Sequence, residues 1–185
     1  MTEVLRLRPV LDADLADVEV RFADPEQVGV FNFAGYTDRA LWRRRFEENQ
    51  LLSDEKSVLM IELGDTPIGF VSWSRVMTGQ VSYVLEFGIS LWPEFRGKGL
   101  GTRTQKLLAR YLFAHTQVNR IQAKTESVNH AEQRSLEKAG FVRESVLKGY
   151  FYRDGAWRDE VMYRMLREEL PVDHESDGKA PEDRG

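Results

Sequence analysis

The stretch that decides the fold reads Trp92-Pro-Glu-Phe-Arg96-Gly97-Lys98-Gly99-Leu100-Gly101-Thr102. It lies between an apolar segment that predicts a strand, residues 83–91, and a long helical pattern over residues 99–116. Three glycines at alternate positions let the backbone approach a ligand closely, and the N–H groups at a helix start carry a partial positive charge. With Arg96 and Lys98 beside them, these residues are typical of a cradle for a phosphate or diphosphate. A plain glycine-rich turn is the alternative.

Two common nucleotide-binding loops do not fit this stretch. A Walker loop needs Ser or Thr directly after its lysine, whereas Gly99 follows Lys98. A dinucleotide fingerprint needs a third glycine where Thr102 stands, and it is expected after the first strand rather than halfway along the chain. A nucleotide-binding module is therefore disfavoured, and it predicts that ATP or NAD protects the fold against heat.

The rest of the chain predicts strands and helices in the order βααβββαβαββ. Strands are expected at residues 3–10, 57–64, 67–76, 83–91, 120–126, 141–152 and 156–167. Helices are expected at residues 12–23, 38–49, 99–116 and 129–139. Asp38 is the expected N-cap of the second helix, and Asp154-Gly155 suits a tight hairpin turn. This order predicts an α/β (α+β) fold with a mixed central sheet of about seven strands.

Several segments together resemble the GCN5-related N-acetyltransferase (GNAT) superfamily. Arg96-Gly-Lys-Gly-Leu-Gly101 is similar to its Gln/Arg-x-x-Gly-x-Gly/Ala motif. Asn129 begins a helix that ends in Lys-x-Gly-Phe141, which resembles the second signature of the family. Residues 150–163 resemble the ribosomal-protein alanine N-acetyltransferase branch. The resemblance covers about residues 3–168, and it implies an acetyl-CoA-binding fold whose sheet is splayed at the fourth strand to admit the coenzyme.

The resemblance also implies which residues hold the cosubstrate acetyl-CoA. Three backbone positions would pair with the pantetheine arm: Ile89, Ser90 and Leu91. A continuous run would take the diphosphate: Arg96, Gly97, Lys98, Gly99, Leu100, Gly101 and Thr102. Asn129 would hydrogen-bond the arm. An Asn at a helix start with Glu132 three residues later is also close to a capping box, which needs no ligand, and both roles can hold together.

Glu86 is the expected general base. It shares one strand face with Val84, Gly88 and Ser90, and this small, polar face suits the wall of a cleft better than a core. Acetyl transfer to an amine requires the ammonium group to lose a proton, and a partly desolvated carboxylate can accept that proton directly or through a water. The alternative is that Glu86 pairs with an Arg or Lys across the sheet.

The acid that would protonate the CoA thiolate is not assigned. Many family members carry a tyrosine seven residues after the Asn, and that position here holds Leu136. Tyr150 in the closing hairpin is a candidate for this catalytic hydroxyl, with aromatic packing as its alternative role. The missing tyrosine motivates a second possible function, a non-catalytic acyl-CoA-binding sensor on the same fold.

The acceptor pocket is expected under the aromatic loop of residues 29–36. Its candidate substrate-binding residues, for which core packing is the alternative, are Phe31, Tyr36 and Trp73. The expected acceptor is a primary amine on a small molecule or at a peptide or protein N-terminus. Acids near the last hairpin favour a cationic acceptor: Asp154, Asp159 and Glu160. We expect direct attack in a ternary complex, because the chain has no cysteine and no Ser-His-Asp spacing for a covalent acyl-enzyme.

Length and composition set limits on these expectations. The 185 residues, 42% hydrophobic and 30% charged, predict a single domain over residues 1–170. Residues 171–185 carry five acidic and two basic side chains and are expected to form a disordered acidic tail. The sequence shows no metal-ligand spacing, basic footprint, secretory signal or long apolar run, so we expect no metal, nucleic-acid or membrane partner and a cytoplasmic protein. A homodimer is expected from the resemblance alone.

Overall fold

The computed structural model describes residues 3–33, 35, 36, 38 and 40–171. The strands in that part of the chain are β1 (Leu5–Pro9), β2 (Lys56–Leu63), β3 (Thr66–Met77), β4 (Tyr83–Leu91), β5 (Arg120–Glu126), β6 (Val142–Arg153) and β7 (Ala156–Leu166). The helices are α1 (Asp12–Phe22), α2 (Pro25–Val28), α3 (Leu41–Asn49), α4 (Leu100–His115) and α5 (His130–Ala139). The strands form one mixed sheet in the order β1-β2-β3-β4-β5-β7-β6. The predicted fold class and its seven-strand sheet are thus confirmed.

Two features of the N-terminal half differ from the prediction. A short helix, α2, precedes the aromatic loop, with Pro25 at its first position and the Asp24 carboxylate accepting from the Glu26 N–H. The prediction that Asp38 caps the next helix is wrong, because α3 begins at Leu41. Asp38 Oδ1 instead accepts from the Ala40 N–H at 2.9 Å and closes a turn before the helix. Short polar side chains favour such local turns as strongly as they favour caps.

The predicted hairpin turn between β6 and β7 is present. Asp154 and Gly155 have φ of 49° and 73°, and two consecutive left-handed residues are what a type I′ turn requires. Asp tolerates this conformation better than most residues, and Gly adopts it freely. The pair at residues 154–155 therefore determines where the chain reverses.

The sheet buries both of its faces. One face packs against α4 and α5, and strand residues such as Leu59 and Ile61 join that core. The other face packs against α1 and α3, and Val58 and Met60, the alternate residues of the same strand, join the second core. Because side chains alternate between faces along a strand, β2 is apolar throughout rather than amphipathic. No helix in the described part of the chain is long and apolar enough to cross a bilayer.

The sheet opens between β4 and β5. These parallel strands pair only through Leu85–Ile121 and Glu86–Gln122. Farther along, β4 stays paired with β3 and β5 stays paired with β7, so each strand keeps its outer partner while a gap forms between them. The expected splay at the fourth strand is therefore present. The acidic tail expected from residue 171 falls, after Pro171, outside the described residues.

Candidate functional site

A cavity of about 750 Å³ lies where β4 and β5 part. The residues predicted to hold the coenzyme that line it are Ile89, Leu91, Arg96, Gly97, Gly99, Gly101, Thr102 and Asn129. The side chain of Lys98 lies elsewhere, with its Nζ 5.6 Å from the centre of the Phe95 ring. Leu100 is buried in the core beneath α4. The structure thus brings together most of a set of residues that are distant in sequence.

The cavity is lined by Gly97, Gly99, Gly101 and Thr102, and residues 97–102 supply a row of successive backbone N–H groups. Gly97 and Gly99 have φ of 73° and 75°, a conformation that favours glycine. The first helical hydrogen bond of α4 runs from the Arg103 N–H to the Gly99 carbonyl at 3.3 Å. Across the described residues, no N–H of residues 97–102 donates to a protein acceptor. Unpaired N–H groups at the positive end of a helix suit an anion, so this row fits a diphosphate.

Arg96 has a role that the sequence did not predict. Its guanidinium donates to the carbonyl oxygens of Leu91 at 2.8 Å and Gln27 at 2.7 Å, and also to that of Val28. Burial lowers the pKa of Arg96, while Glu94 opposes that shift. The side chain therefore ties the cradle to α2, and these hydrogen bonds support a structural role rather than a direct hold on a phosphate.

Two other cations of the cavity wall were missed. Arg134 and Lys138 both line the cavity from α5. They are four residues apart and follow Asn129, so the spacing that places them on one helix face was visible in the sequence. Side chains of this kind suit the phosphate groups of a coenzyme.

The packing of α4 on α5 produces a polar network beside the cradle. A Cβ on Gly101 would lie 3.3 Å from Ser135 Oγ, so glycine permits the close approach of the two helices. Ser135 Oγ lies 3.1 Å from Thr102 Oγ1 and donates to Gln105 Oε1 at 2.9 Å. Gln105 Nε2 in turn donates to Glu132 Oε1 at 2.7 Å. Burial raises the pKa of Glu132 to about 7, although the Gln105 hydrogen bond opposes it.

Asn129 acts as the N-cap of α5. Its Oδ1 accepts from the Glu132 N–H at 3.3 Å, and its Nδ2 donates to Thr125 Oγ1 at 3.0 Å. The capping role proposed for this residue is thus present, although Glu132 turns to Gln105 rather than completing a capping box. Since Asn129 also lines the cavity and its amide carries a second hydrogen, it can serve a ligand at the same time.

Along β4, the backbone N–H and C=O groups of successive residues point alternately to β3 and to the gap. The Trp92 N–H donates to the Ile68 carbonyl on β3 at 2.9 Å, and the unbroken register pairs Ser90 with Phe70. Hydrogen-bonded pairs alternate along an antiparallel ladder, so the backbone groups of Ser90 point to β3 and those of Ile89 and Leu91 point to the gap. Ser90 is therefore not placed to pair with a pantetheine arm, whereas Ile89 and Leu91 are.

Glu86 lies at the point where the two strands part and is held by neighbours on β5. Its carboxylate accepts from Gln122 Nε2 at 2.9 Å and contacts Lys124 Nζ at 3.1 Å. Lys124 Nζ also donates to the Tyr150 hydroxyl at 3.1 Å. Burial lowers the pKa of Lys124, but Tyr150 and Glu86 outweigh burial and raise it overall. The ion pair across the sheet, given above as the alternative for Glu86, is what the structure contains.

Two further carboxylates reach the cavity near the last hairpin. Glu126 contacts Arg153 Nη2 at 2.5 Å, and both side chains are about 95% buried. Glu160 on β7 lines the cavity, and burial raises its pKa; Lys124 opposes this shift. Asp159 turns away and accepts from Lys148 Nζ and the Gly149 N–H. Among the described residues, no group of three or more His, Asp or Glu side chains is arranged to hold a metal ion.

The three aromatic residues expected over the acceptor do not lie together. Phe31 lines the cavity, and its ring centre is 5.5 Å from the Arg153 guanidinium. Tyr36 is 78% exposed and packs edge-on against Phe33. Trp73 packs against Tyr111 of α4 and is not among the residues that line the cavity. Phe31 is therefore the residue of this set that lies in the cavity wall.

Comparisons with known proteins agree with this geometry. Residues 5–142 match the family model described as an acetyltransferase (GNAT) domain. The N-acetyltransferase YoaA of Bacillus subtilis (strain 168) is 30% identical over 170 residues, which are 90% of this chain and 95% of YoaA.

Two solved structures share the fold. Spermidine N-acetyltransferase from Vibrio cholerae, in complex with CoA and spermine, superposes with a TM-score of 0.76 at 20% identity, over 90% of this chain and 97% of that one. RimJ of Mycobacterium smegmatis, in complex with CoA-disulfide, superposes with a TM-score of 0.74 at 24% identity, over 91% of this chain and 85% of that one. The family match covers most of the chain, so this protein belongs to the GNAT family of N-acetyltransferases.

Proposed function

We propose that this protein transfers the acetyl group of acetyl-CoA to a primary amine by direct attack of the amine nitrogen within a ternary complex. The observation that carries the proposal is the row of N–H groups at residues 97–102, which opens into the gap between β4 and β5. An anion cradle continuous with a strand-lined slot suits a ligand with a diphosphate at one end and an extended arm at the other.

The residues that line this cavity form two groups, one for the diphosphate and one for the extended arm of the ligand. The N–H groups of residues 97–102 would hold the diphosphate, with Arg134 and Lys138 beside it. The exposed edge at Ile89 and Leu91 would pair with the arm, and Asn129 would add one hydrogen bond. Since β4 and β5 rejoin at Glu86, the thioester end would lie near that junction.

The charges around the junction favour a cationic acceptor. Three carboxylates face two cations there: Glu86, Glu126 and Glu160 against Lys124 and Arg153. The relative from Vibrio cholerae is named for spermidine and was solved with spermine. Relatives also include the putative ribosomal N-acetyltransferase YdaF of Bacillus subtilis, so a free polyamine and a protein N-terminus are both acceptor classes to test.

Glu86 is the general base that the sequence favours. Its carboxylate already accepts from Gln122 and contacts Lys124, so an acceptor amine would have to share it with both neighbours. The Tyr150 hydroxyl, which accepts from Lys124, is the candidate acid for the departing thiolate, although its side chain is half exposed.

The experiment that tests the function is release of free CoA thiol from acetyl-CoA in the presence of amines. The panel contains spermidine, a peptide with an N-terminal alanine and an aminoglycoside, and calorimetry measures acetyl-CoA binding in parallel. We expect tight binding and amine-dependent thiol release. Binding without release from any amine would support the sensor function instead, and protection of the fold by ATP or NAD rather than acetyl-CoA would support a nucleotide-binding module.

A further inference from the structure

Among the described residues, Glu160 is a cavity-lining carboxylate with no hydrogen bond or ion pair. It lies on β7 directly across from Glu126 on β5 and contributes to the cavity wall. Within the described part of the chain, its carboxylate makes no hydrogen bond and no ion pair. A partly buried acid that faces a ligand cavity without a partner is available for a proton or for an ammonium group.

The neighbouring carboxylates are not available in this way. Glu86 is bonded to Gln122 and Lys124, and it is absent from the cavity lining. Glu126 lines the cavity but is bound to Arg153, with both side chains almost wholly buried. A proton transferred to either residue would neutralise one member of an ion pair and leave the neighbouring cation without its counter-charge.

The charges around Glu160 come from three strands. Glu86 on β4 and Glu126 on β5 repel a negative charge on it, while Lys124 on β5 attracts one. From β6, Arg153 is occupied by Glu126, and Tyr150 by its hydrogen bond with Lys124. Burial is the largest influence, so the pKa of Glu160 lies above the usual range of a glutamate. A carboxylate of this kind is better matched to proton removal near neutral pH than a fully solvated one.

We propose that Glu160, rather than Glu86, accepts the proton that the acceptor's ammonium group must lose. The N–H bond breaks and its proton goes to a Glu160 oxygen, which frees the nitrogen lone pair to form the C–N bond with the thioester carbonyl carbon. When the C–S bond breaks, the electron pair leaves with sulfur. The second nitrogen proton goes to that thiolate, and Glu160 later releases its proton to water.

This inference rests on the proposed acetyl transfer, and the test separates the two. The rate of thiol release is measured from pH 6 to pH 10 for the wild type, Glu160→Gln and Glu86→Gln, with the most active amine of the panel. We expect E160Q to lower kcat at pH 7 by about 100-fold or more, with acetyl-CoA affinity unchanged by calorimetry. The difference in kcat between E160Q and the wild type should shrink as pH rises, because more of the amine is then already unprotonated.

Several controls make the result decisive. Glu144→Gln removes a carboxylate of the same sheet outside the cavity, where Glu144 pairs with Arg120, and should leave the pH profile unchanged. If E160Q does not fold, Glu160→Asp is the second variant, since it retracts the carboxylate by one methylene. It should lower kcat, while the decline of kcat towards low pH should keep the same form as in the wild type.

The possible outcomes separate clearly. A wild-type profile in E160Q, or the pH-dependent loss in E86Q alone, overturns the inference while leaving the acetyl transfer intact. A wild type that binds acetyl-CoA but releases no thiol with any amine overturns both.

Discussion

At this site, the hydrogen bonds and ion pairs that a side chain already makes determine whether it is available to a ligand. Arg96, a residue of the family motif, is bonded to three carbonyl groups and holds the cradle in place. Glu86 is bonded to Lys124 and Gln122, whereas Glu160 has no such partner in the part of the chain that the structure describes. Residue type and spacing identify candidates for chemistry, but pairing decides which of them remains available to a substrate.

Glu132 makes folding stability depend on pH. Burial raises its pKa from an ordinary 4.5 to about 7, so the folded chain keeps this proton at pH values where the unfolded chain has lost it. The stabilisation from this group is complete below about pH 4.5 and is lost as pH rises through 7. It amounts to at most about 3 kcal/mol.

The test is urea unfolding of the wild type and Glu132→Gln at pH 5, 6, 7 and 8. Other titrating groups are common to both proteins and cancel in the comparison. We expect the free energy of unfolding of the wild type, relative to E132Q, to fall between pH 5 and 8. A difference that stays constant across this range would show that Glu132 is solvated or paired in the folded chain.

At the scale of elements, the order of strands and helices followed from local patterns, except for the short helix α2, which was not predicted. Apolar periodicity located every predicted strand, and Asp154-Gly155 located the last hairpin because its backbone geometry is local. Contacts between distant elements were not predictable. Arg96 contacts residues 27 and 28, and Lys124 contacts Glu86, and no local pattern selects such a partner.

Gly99, at the turn into α4, should affect both folding stability and acetyl-CoA affinity, and the two effects can be measured separately. Gly99 lines the cavity, has φ of 75° and has open space where a Cβ would project. We expect Gly99→Ala to lower stability by about 1 kcal/mol, because a side chain is strained at positive φ. The added methyl group would also crowd the N–H row, so acetyl-CoA affinity should fall by about tenfold, the equivalent of about 1.4 kcal/mol.

Gly155→Ala provides the matched control. Gly155 has φ of 73° and equally open surroundings, but it lies in the β6–β7 turn and not in the cavity wall. Thermal unfolding should show a similar loss of stability in both variants, while calorimetry shows weaker binding in Gly99→Ala alone. Equal affinity in the two variants would mean that the coenzyme does not approach the loop at Gly99.

At the scale of the whole molecule, the sheet is two paired halves joined by a short junction. The strands β1 to β4 form one half and β5 to β7 the other. Their backbones pair directly at two residue pairs, and side-chain contacts such as Glu86–Lys124 and the packing of α4 on α5 also join the halves. A ligand in the gap would bridge both halves. Because such a ligand binds only the folded chain, acetyl-CoA at 100 times its Kd should stabilise the fold by about 2.7 kcal/mol.

Amide hydrogen exchange measured by NMR would locate that bridge. In the free protein, the amides of residues 97–102, Ile89 and Leu91 should exchange quickly, since their N–H groups have no protein acceptor across the described residues. Acetyl-CoA should slow these amides, because bonds to the diphosphate and the pantetheine arm would then protect them. Ser90 serves as an internal reference, since its N–H is already bonded to β3 and should exchange slowly in both states. Slow exchange of residues 97–102 before the ligand is added would show that the chain itself satisfies these amides, and the cradle would then have to lie elsewhere.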